Sequence, residues 1–295
     1  VSKVSVIIPS RNERFLPETV HDLISKARGD VEIIAVLDGY WPDPPLPDYS
    51  NLILIHRSES KGMRASINAG ASIARGEWLM KVDAHVMMME GYDLELQREC
   101  EHNWMMIPRR YSLDPETWTC REKSPVDYHY TDCPMTNTEY YQTHGVIWPE
   151  RDRERKDILI DDTPSWQGSM WFMHKSWADH LLPMSEHGYG TFSQEPQELG
   201  FKTWLGGGAI KINKNVWGAH LHKGHQYGRM YSANMGEIRQ GHKYSAWYWT
   251  TNQWPDRIHD YEWFVEKFMP MPKWPDNWRE LLQAYQRTHQ NGPDY

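Results

Sequence analysis

Val4-Ser5-Val6-Ile7-Ile8 is a short apolar run closed by the polar stretch Pro9-Ser10-Arg11-Asn12-Glu13, the pattern of a strand that feeds a loop. Leu16, Val20, Leu23, Ile24 and Ala27 then recur at helical spacing, with Pro17 tolerated in the first turn and Gly29 just past the end. Ile33 to Leu37 is continuously apolar and stops at Asp38-Gly39, as expected of a parallel strand covered on both faces. Strand, helix and strand in this order predict a right-handed crossover. Four prolines between Trp41 and Pro47 predict a loop, and Leu52 to Ile55 a third strand. Met63, Ile67, Ala71 and Ala74 form one stripe of a helix between Gly62 and Gly76, and Trp78 to Val82 then leads as a strand into Asp83.

From about residue 104 to 163 the periodicity dissolves among prolines, charges and aromatic rings, including the basic run Arg151 to Lys156. This interval is expected to be irregular. Pattern resumes at Trp166 to Trp177, and Gln197 to Leu205 reads as a helix stopped by Gly206-Gly207-Gly208. Ile210-Lys211-Ile212 reads as a strand leading to His220-Leu221-His222, and Glu262 to Phe268 and Trp278 to Gln286 as short helices. The fold class is α/β: a mostly parallel sheet with flanking helices, followed by an irregular, aromatic-rich C-terminal segment. Residues 1–222 form the main domain, and residues 223–295 an extension that packs on it or caps its site.

A chain of 295 residues is long enough for one large core. The net charge of −8 argues against an overall electrostatic grip on nucleic acid but leaves a local basic groove open. Cys100, Cys120 and Cys133 are odd in number and lack CxxC spacing, which fits a reducing cytoplasmic setting. No apolar run approaches the roughly 20 residues that span a bilayer, and the start of the chain has the pattern of a strand, so a soluble chain is expected. Sixteen Trp and sixteen Tyr against six Phe supply rings with polar edges, which serve core packing first and sugar or base stacking second.

Asp83-Ala84-His85 at the end of a strand brings other chemistry. Alternate side chains of an extended segment share a face, so the carboxylate and the imidazole can meet one ion, with His220 as a distant third ligand and His222 in reserve. Mixed oxygen and nitrogen ligation suits Mn²⁺ or Mg²⁺, and such an ion can neutralise a departing diphosphate. The carboxyl edge of a parallel sheet is where ligands bind, which puts Asn12, Glu13, Asp38 and Asp83 on one rim.

In order and spacing, Ser5 to Pro9 with Asn12-Glu13, Glu32 to Asp38, Gly62-Met63-Arg64, Ala74 to Glu77 and Asp83-Ala84-His85 resemble the family 2 type of GT-A glycosyltransferase. The pattern is most similar to the retaining polypeptide N-acetylgalactosaminyltransferases, whose metal triad is Asp-Ser-His. Here Ala84 replaces only the middle residue, which is not a ligand. Gln194 to Lys202 resembles that family's Gly-Glu-Asn-x-Glu-Leu-Ser-Phe-Arg stretch, and counting onward from Trp204 brings its third ligand onto His220. The resemblance covers about residues 3 to 222 and is weak between 104 and 163. The family's lectin domain and membrane anchor have no counterpart in it.

The resemblance implies a nucleotide-sugar donor, most simply a UDP-sugar, held by Pro9, Arg11, Asn12, Glu13, Asp38, Arg64 and Asp83; Arg64, at a helix start, can face the diphosphate or else stand as a solvated cation. Asp38 can accept from uracil or ribose, or else form a turn with Gly39. Glu195 is the mechanistic residue. Many inverting members carry their base one position later, where this chain has Pro196. Glu195 is then either the base itself, or a contact to sugar or acceptor in a retaining reaction, which is the expectation here; a bare helix-terminal acid is the plainer alternative. The acceptor is left open among a glycan, a protein and a hydroxymethylated DNA base. For DNA, Arg151, Arg153, Arg155, Lys223, Arg229 and Lys243 would have to line a basic groove beside the metal, and the cation and aromatic mixture through Trp247, Tyr248 and Trp249 could stack on a strand. A catalytically silent carbohydrate- or nucleotide-binding module is the competing class, which an intact ligand set disfavours. A nucleotidyltransferase would be expected to carry a glycine-rich phosphate loop after the first strand, and Pro9 to Glu13 has no glycine.

Overall fold

The computed structural model describes residues 2–136, 143–228, 230–290 and 292. The first half alternates β1 (Val4–Ser10), α1 (Leu16–Lys26), β2 (Val31–Asp38), β3 (Leu52–Arg57), α2 (Met63–Ile73) and β4 (Trp78–Val82). Next come β5 (Val86–Met88), α3 (Tyr92–Glu99), β6 (Trp104–Asp114), β7 (Thr119–Cys120), β8 (His129–Thr131), β9 (Gly145–Ile147), α4 (Pro149–Glu154) and β10 (Ile160–Asp162). The remainder is β11 (Met170–His174), α5 (Lys175–Leu181), α6 (Glu195–Leu205), β12 (Ala209–His220), α7 (Gly224–Tyr227), α8 (Met235–Thr250), α9 (Tyr261–Phe268) and α10 (Trp278–Thr288).

The main sheet runs β10-β12-β6-β11-β4-β1-β2-β3. Its β3-β2-β1-β4 half is parallel, β11 runs antiparallel between β4 and β6, and β12 is parallel to β6. Every residue of β2 is buried, whereas the edge strand β3 exposes alternate positions. That contrast explains why one reads as a solid apolar run and the other as a short one.

The interval expected to be irregular holds β6, an eleven-residue strand of the sheet's middle. Pro108, Arg109 and Arg110 break its apolar pattern. The proline is tolerated because the β6–β12 register slips there, with Pro108 opposite Asn213 and Arg109 opposite Trp217, so a ladder donor is not required at every position. The partner strand β12 is correspondingly longer than Ile210 to Ile212, reaching His220.

The segment after His222 shares the main core. Phe201 of α6 meets the rings of Trp249, Tyr261 and Phe264 at 5.4, 5.5 and 5.1 Å, and Trp274 Nε1 donates to the Thr131 carbonyl at 2.7 Å. Each such buried ring contributes about 2 to 3 kcal/mol of transfer free energy. Helix α8, missed in the sequence because its aromatic residues blur the stripe, is capped by Asn234, whose side chain accepts from the amides of Gly236 and Glu237. The three cysteines are free, and among the described residues no helix is long and apolar enough to cross a membrane.

Candidate functional site

The carboxyl ends of β1, β2, β4 and β12 border a cavity of about 530 Å³, within the range of small-molecule sites. Pro9, Arg11, Glu13, Asp38, Asp83, His85 and His220 line it, as do His222, Lys223, Gln167, Thr191 and Phe192.

Asp83, His85 and His220 present ligand atoms that all lie within 4.8 Å of one another, the one such group among the described residues. Sheet register brings them together: β5 pairs antiparallel with the end of β12, placing His220 opposite Val86 and hence beside His85. His220 Nε2 lies 3.2 Å from Asp83 Oδ2, and the two imidazole centroids are 4.9 Å apart. Both ring nitrogens of the buried His220 lack a hydrogen-bond partner. Burial, helped by the neighbouring His85, pushes its pKa down to about 3, so the ring is neutral and offers a lone pair. Asp83 is held well below the usual carboxylate range: burial alone would raise it, but the Lys81 ammonium overrides that. An ionised carboxylate and two imidazoles, one of them with orphaned buried nitrogens, are the donor set of a divalent transition metal, and the residues fit such an ion.

A second layer orients this set. His85 Nδ1 lies 3.0 Å from Glu13 Oε2, which leaves Nε2 for the cluster. Glu13 also pairs with Lys223. Burial opposes its charge, but His85 and Lys223 keep the Glu13 pKa below its ordinary value. His222 lines the cavity, yet its Nε2 abuts the Arg110 guanidinium, and burial followed by that charge lowers its pKa. It is therefore neutral, but its Nε2 is taken by Arg110 and it is not part of the ligand group.

Several expected contacts are placed differently. Arg64, expected beside a diphosphate, does not line the cavity. Its side chain is 1% exposed and paired with Glu198, Nε donates to the Ser185 carbonyl at 2.6 Å and Nη1 to the Ser193 carbonyl at 2.9 Å, and Tyr189 covers it at 4.2 Å. The guanidinium thus staples the loop before α6, because burial this deep requires a partner for every donor. Asp38 lines the cavity, but its oxygens already accept from Arg57 Nη1, Ser60 Oγ and the amides of Lys61 and Gly62. Its carboxylate shapes the 60–62 turn, where Gly62 has φ +89° and a Cβ would strike the Thr191 carbonyl at 2.3 Å. Asn12 (φ 49°) does not line the cavity; its amide donates to the Met230 carbonyl at 3.2 Å, while the Arg11 guanidinium covers the Tyr231 ring at 4.5 Å. Glu195 does not line the cavity. It is 2% exposed, accepts from Trp171 Nε1 at 2.7 Å and from Lys81 Nζ at 3.0 Å, and burial raises its pKa against the pull of Lys81.

Among the described residues, the basic groove that a DNA acceptor would require does not form. Arg155 pairs with Asp161, Arg151 donates to the Asp162 carbonyl, and Arg153 faces Glu150. Asp161 lies opposite Ile212, eight positions along β12 from His220, or roughly 25 Å of extended chain. Lys223 alone of that set lines the cavity, and Arg229 lies outside the described residues. Sequence reasoning missed Gln167, whose Oε1 is buried without a partner, and Lys81, a lone charge inside the apolar strand Trp78 to Val82. That lone charge was the available signal. It also missed the wall formed by Thr191, whose amide donates to Glu237 Oε1 of α8 at 2.6 Å.

A model of the family described as glycosyl transferase family 2 matches residues 5–182. The chain is 26% identical over 236 residues to polypeptide N-acetylgalactosaminyltransferase 5 of Caenorhabditis elegans, covering 71% of this chain and 35% of that protein. It is 24% identical over 221 residues to polypeptide N-acetylgalactosaminyltransferase 3 of Mus musculus, covering 70% and 35%. The chain therefore spans about a third of the length of these relatives. The crystal structure of GalNAc-T7 with UDP, GalNAc and Mn²⁺ shares the fold at a TM-score of 0.63 and 15% identity, over 91% of this chain and 56% of that one.

Proposed function

The chain belongs to glycosyl transferase family 2, and from that premise we propose that it moves a sugar from a uridine diphosphate sugar to an acceptor hydroxyl with the aid of a bound divalent ion, Mn²⁺ foremost. The observation that carries this reading is the Asp83, His85 and His220 cluster at one end of the cavity. An ion held by these side chains would supply a Lewis acid that neutralises charge on the departing diphosphate.

The protein's own groups would do the rest. Lys223 and Arg11 place cations on the cavity wall, where a diphosphate would need them. Glu13 holds both His85 and Lys223 and so couples the ligand set to that wall. The Asp38 turn fixes the amides of Lys61 and Gly62 at the opening of α2, and Phe192 and Thr191 add an aromatic and a hydroxyl group to the lining.

Retention of anomeric configuration is part of the proposal. An inverting transfer needs a base on the acceptor side. Among the described cavity residues the carboxylates are Glu13, Asp38 and Asp83, and each is engaged by cations, amides or the ligand set. Deprotonation by the leaving diphosphate fits that inventory better. Incubation with Mn²⁺ and a panel of nucleotide sugars, followed by detection of the one hydrolysed, tests the donor. NMR of the glycosylated product reads the stereochemistry, and an inverted centre would end the retaining proposal.

A further inference from the structure

We propose that Lys81 is a positioning residue for the metal carboxylate, and that Glu195 acts through Lys81 instead of touching sugar or acceptor. Lys81 is 0% exposed in the middle of the sheet, an unusual place for an ammonium unless each of its three donors is satisfied. They are: Nζ lies 2.7 Å from Asp83 Oδ1, 2.6 Å from the Gly168 carbonyl and 3.0 Å from Glu195 Oε2. Lys81 and Asp83 are two positions apart on one extended segment and so share a face.

With Oδ1 claimed by Lys81, the other oxygen, Oδ2, is the one beside His220. The cross-strand neighbour of Lys81 is Trp171, whose Nε1 donates to Glu195 Oε1 at 2.7 Å. Both Glu195 oxygens are thus taken by adjacent strands. The 167–169 turn packs over them, since a Cβ on Gly168 would lie 3.3 Å from Glu195 Oε2, and the Ser169 carbonyl accepts from the Asp83 amide at 2.8 Å. Glu195 anchors Lys81, Lys81 fixes the Asp83 rotamer, and the fixed rotamer aims one oxygen at the ion.

The inference rests on the metal-dependent reading, which calorimetric titration of the unaltered protein with Mn²⁺ tests separately. Three variants decide the inference: Lys81→Met, Glu195→Gln and the double substitution, each assayed for Mn²⁺ affinity, thermal midpoint and turnover against Mn²⁺ concentration. Lys81→Met is expected to lower the midpoint by leaving two carboxylates facing each other, and the double variant to recover it. Mn²⁺ affinity in the double variant should still be about ten- to a hundredfold weaker, the usual loss when a ligand's orienting partner is removed. Wild-type affinity there would mean that Lys81 only balances charge, and would overturn the proposal. If Lys81→Met does not fold, Glu195→Gln decides: weakened Mn²⁺ binding with turnover recovered at saturating Mn²⁺ supports it. Turnover lost at every Mn²⁺ concentration with affinity unchanged would place Glu195 at the reacting atoms and overturn it.

Discussion

The backbone amide of Leu221 donates a hydrogen bond to the carbonyl of His85 across 3.1 Å. This contact continues the β5–β12 ladder past His220, so the separation of the two imidazoles is set by strand register. A one-residue slip would turn His220 to the opposite face and dismantle the site. The ligand geometry is therefore a property of the sheet, which holds it more rigidly than a loop would.

Glu13→Gln should weaken Mn²⁺ binding by about ten- to a hundredfold without touching a ligand. The carboxylate holds His85 Nδ1 and pairs with Lys223, and the amide can satisfy only part of that pattern. Calorimetric titration with Mn²⁺ checks it; an affinity within twofold of the unaltered protein would show that His85 needs no such support.

Arg64→Met should destabilise the fold by about 3 kcal/mol, because it leaves Glu198 Oε2 without its cation, with only Oε1 still held by Lys202 and the Ser185 amide, and frees the Ser185 and Ser193 carbonyls. UDP affinity of the folded variant should stay within about threefold. Urea unfolding and calorimetry separate the two effects, and a large loss of UDP affinity at unchanged stability would restore the diphosphate contact expected from the motif.

Stability should fall on acidification below about pH 6.5, in part through His129. Burial, with the Arg110 charge beside it, pushes the His129 pKa down to about 3. Between that value and the unfolded value of about 6.5, the unfolded chain binds a proton that the folded one refuses. The contribution is complete above pH 6.5 and is lost at about 1.4 kcal/mol per unit as pH falls. His129→Gln should flatten the slope by that amount when urea midpoints are compared at pH 7, 6 and 5, and equal slopes in the two proteins would refute it.

The crossover unit and the shared face of Asp83 and His85 were legible because apolar periodicity and spacing are local signals, whereas the meeting of His220 with them was reached through the family resemblance. What stayed hidden depends on partners distant in sequence. Arg64 reads as a free cation at a helix start, and only the folded chain supplies Glu198 of α6 and the two carbonyls of the loop before it. Asp38 ends its strand as expected, but its lone pairs are taken by a turn more than twenty residues on. Strand β6 was obscured by Pro108 and its arginines, whose tolerance comes from the slipped register and from Asp127, which accepts from Arg109 at 3.0 and 2.7 Å.

Lys223→Met should separate recognition of the diphosphate from recognition of the nucleoside. Lys223 is the basic residue on the cavity wall beside the ligand set, and its ammonium is shared with Glu13, itself tied to His85. A charge-assisted contact to phosphate contributes about 1.5 to 3 kcal/mol, so UDP affinity should fall about tenfold or more. Uridine carries no phosphate and should bind both proteins alike. The salt dependence of UDP binding should also become shallower, since one screened attraction is gone. Calorimetry with UDP and uridine at two ionic strengths reads all three quantities. Equal losses for UDP and uridine would mean that Lys223 shapes the cavity through Glu13 and does not meet the diphosphate.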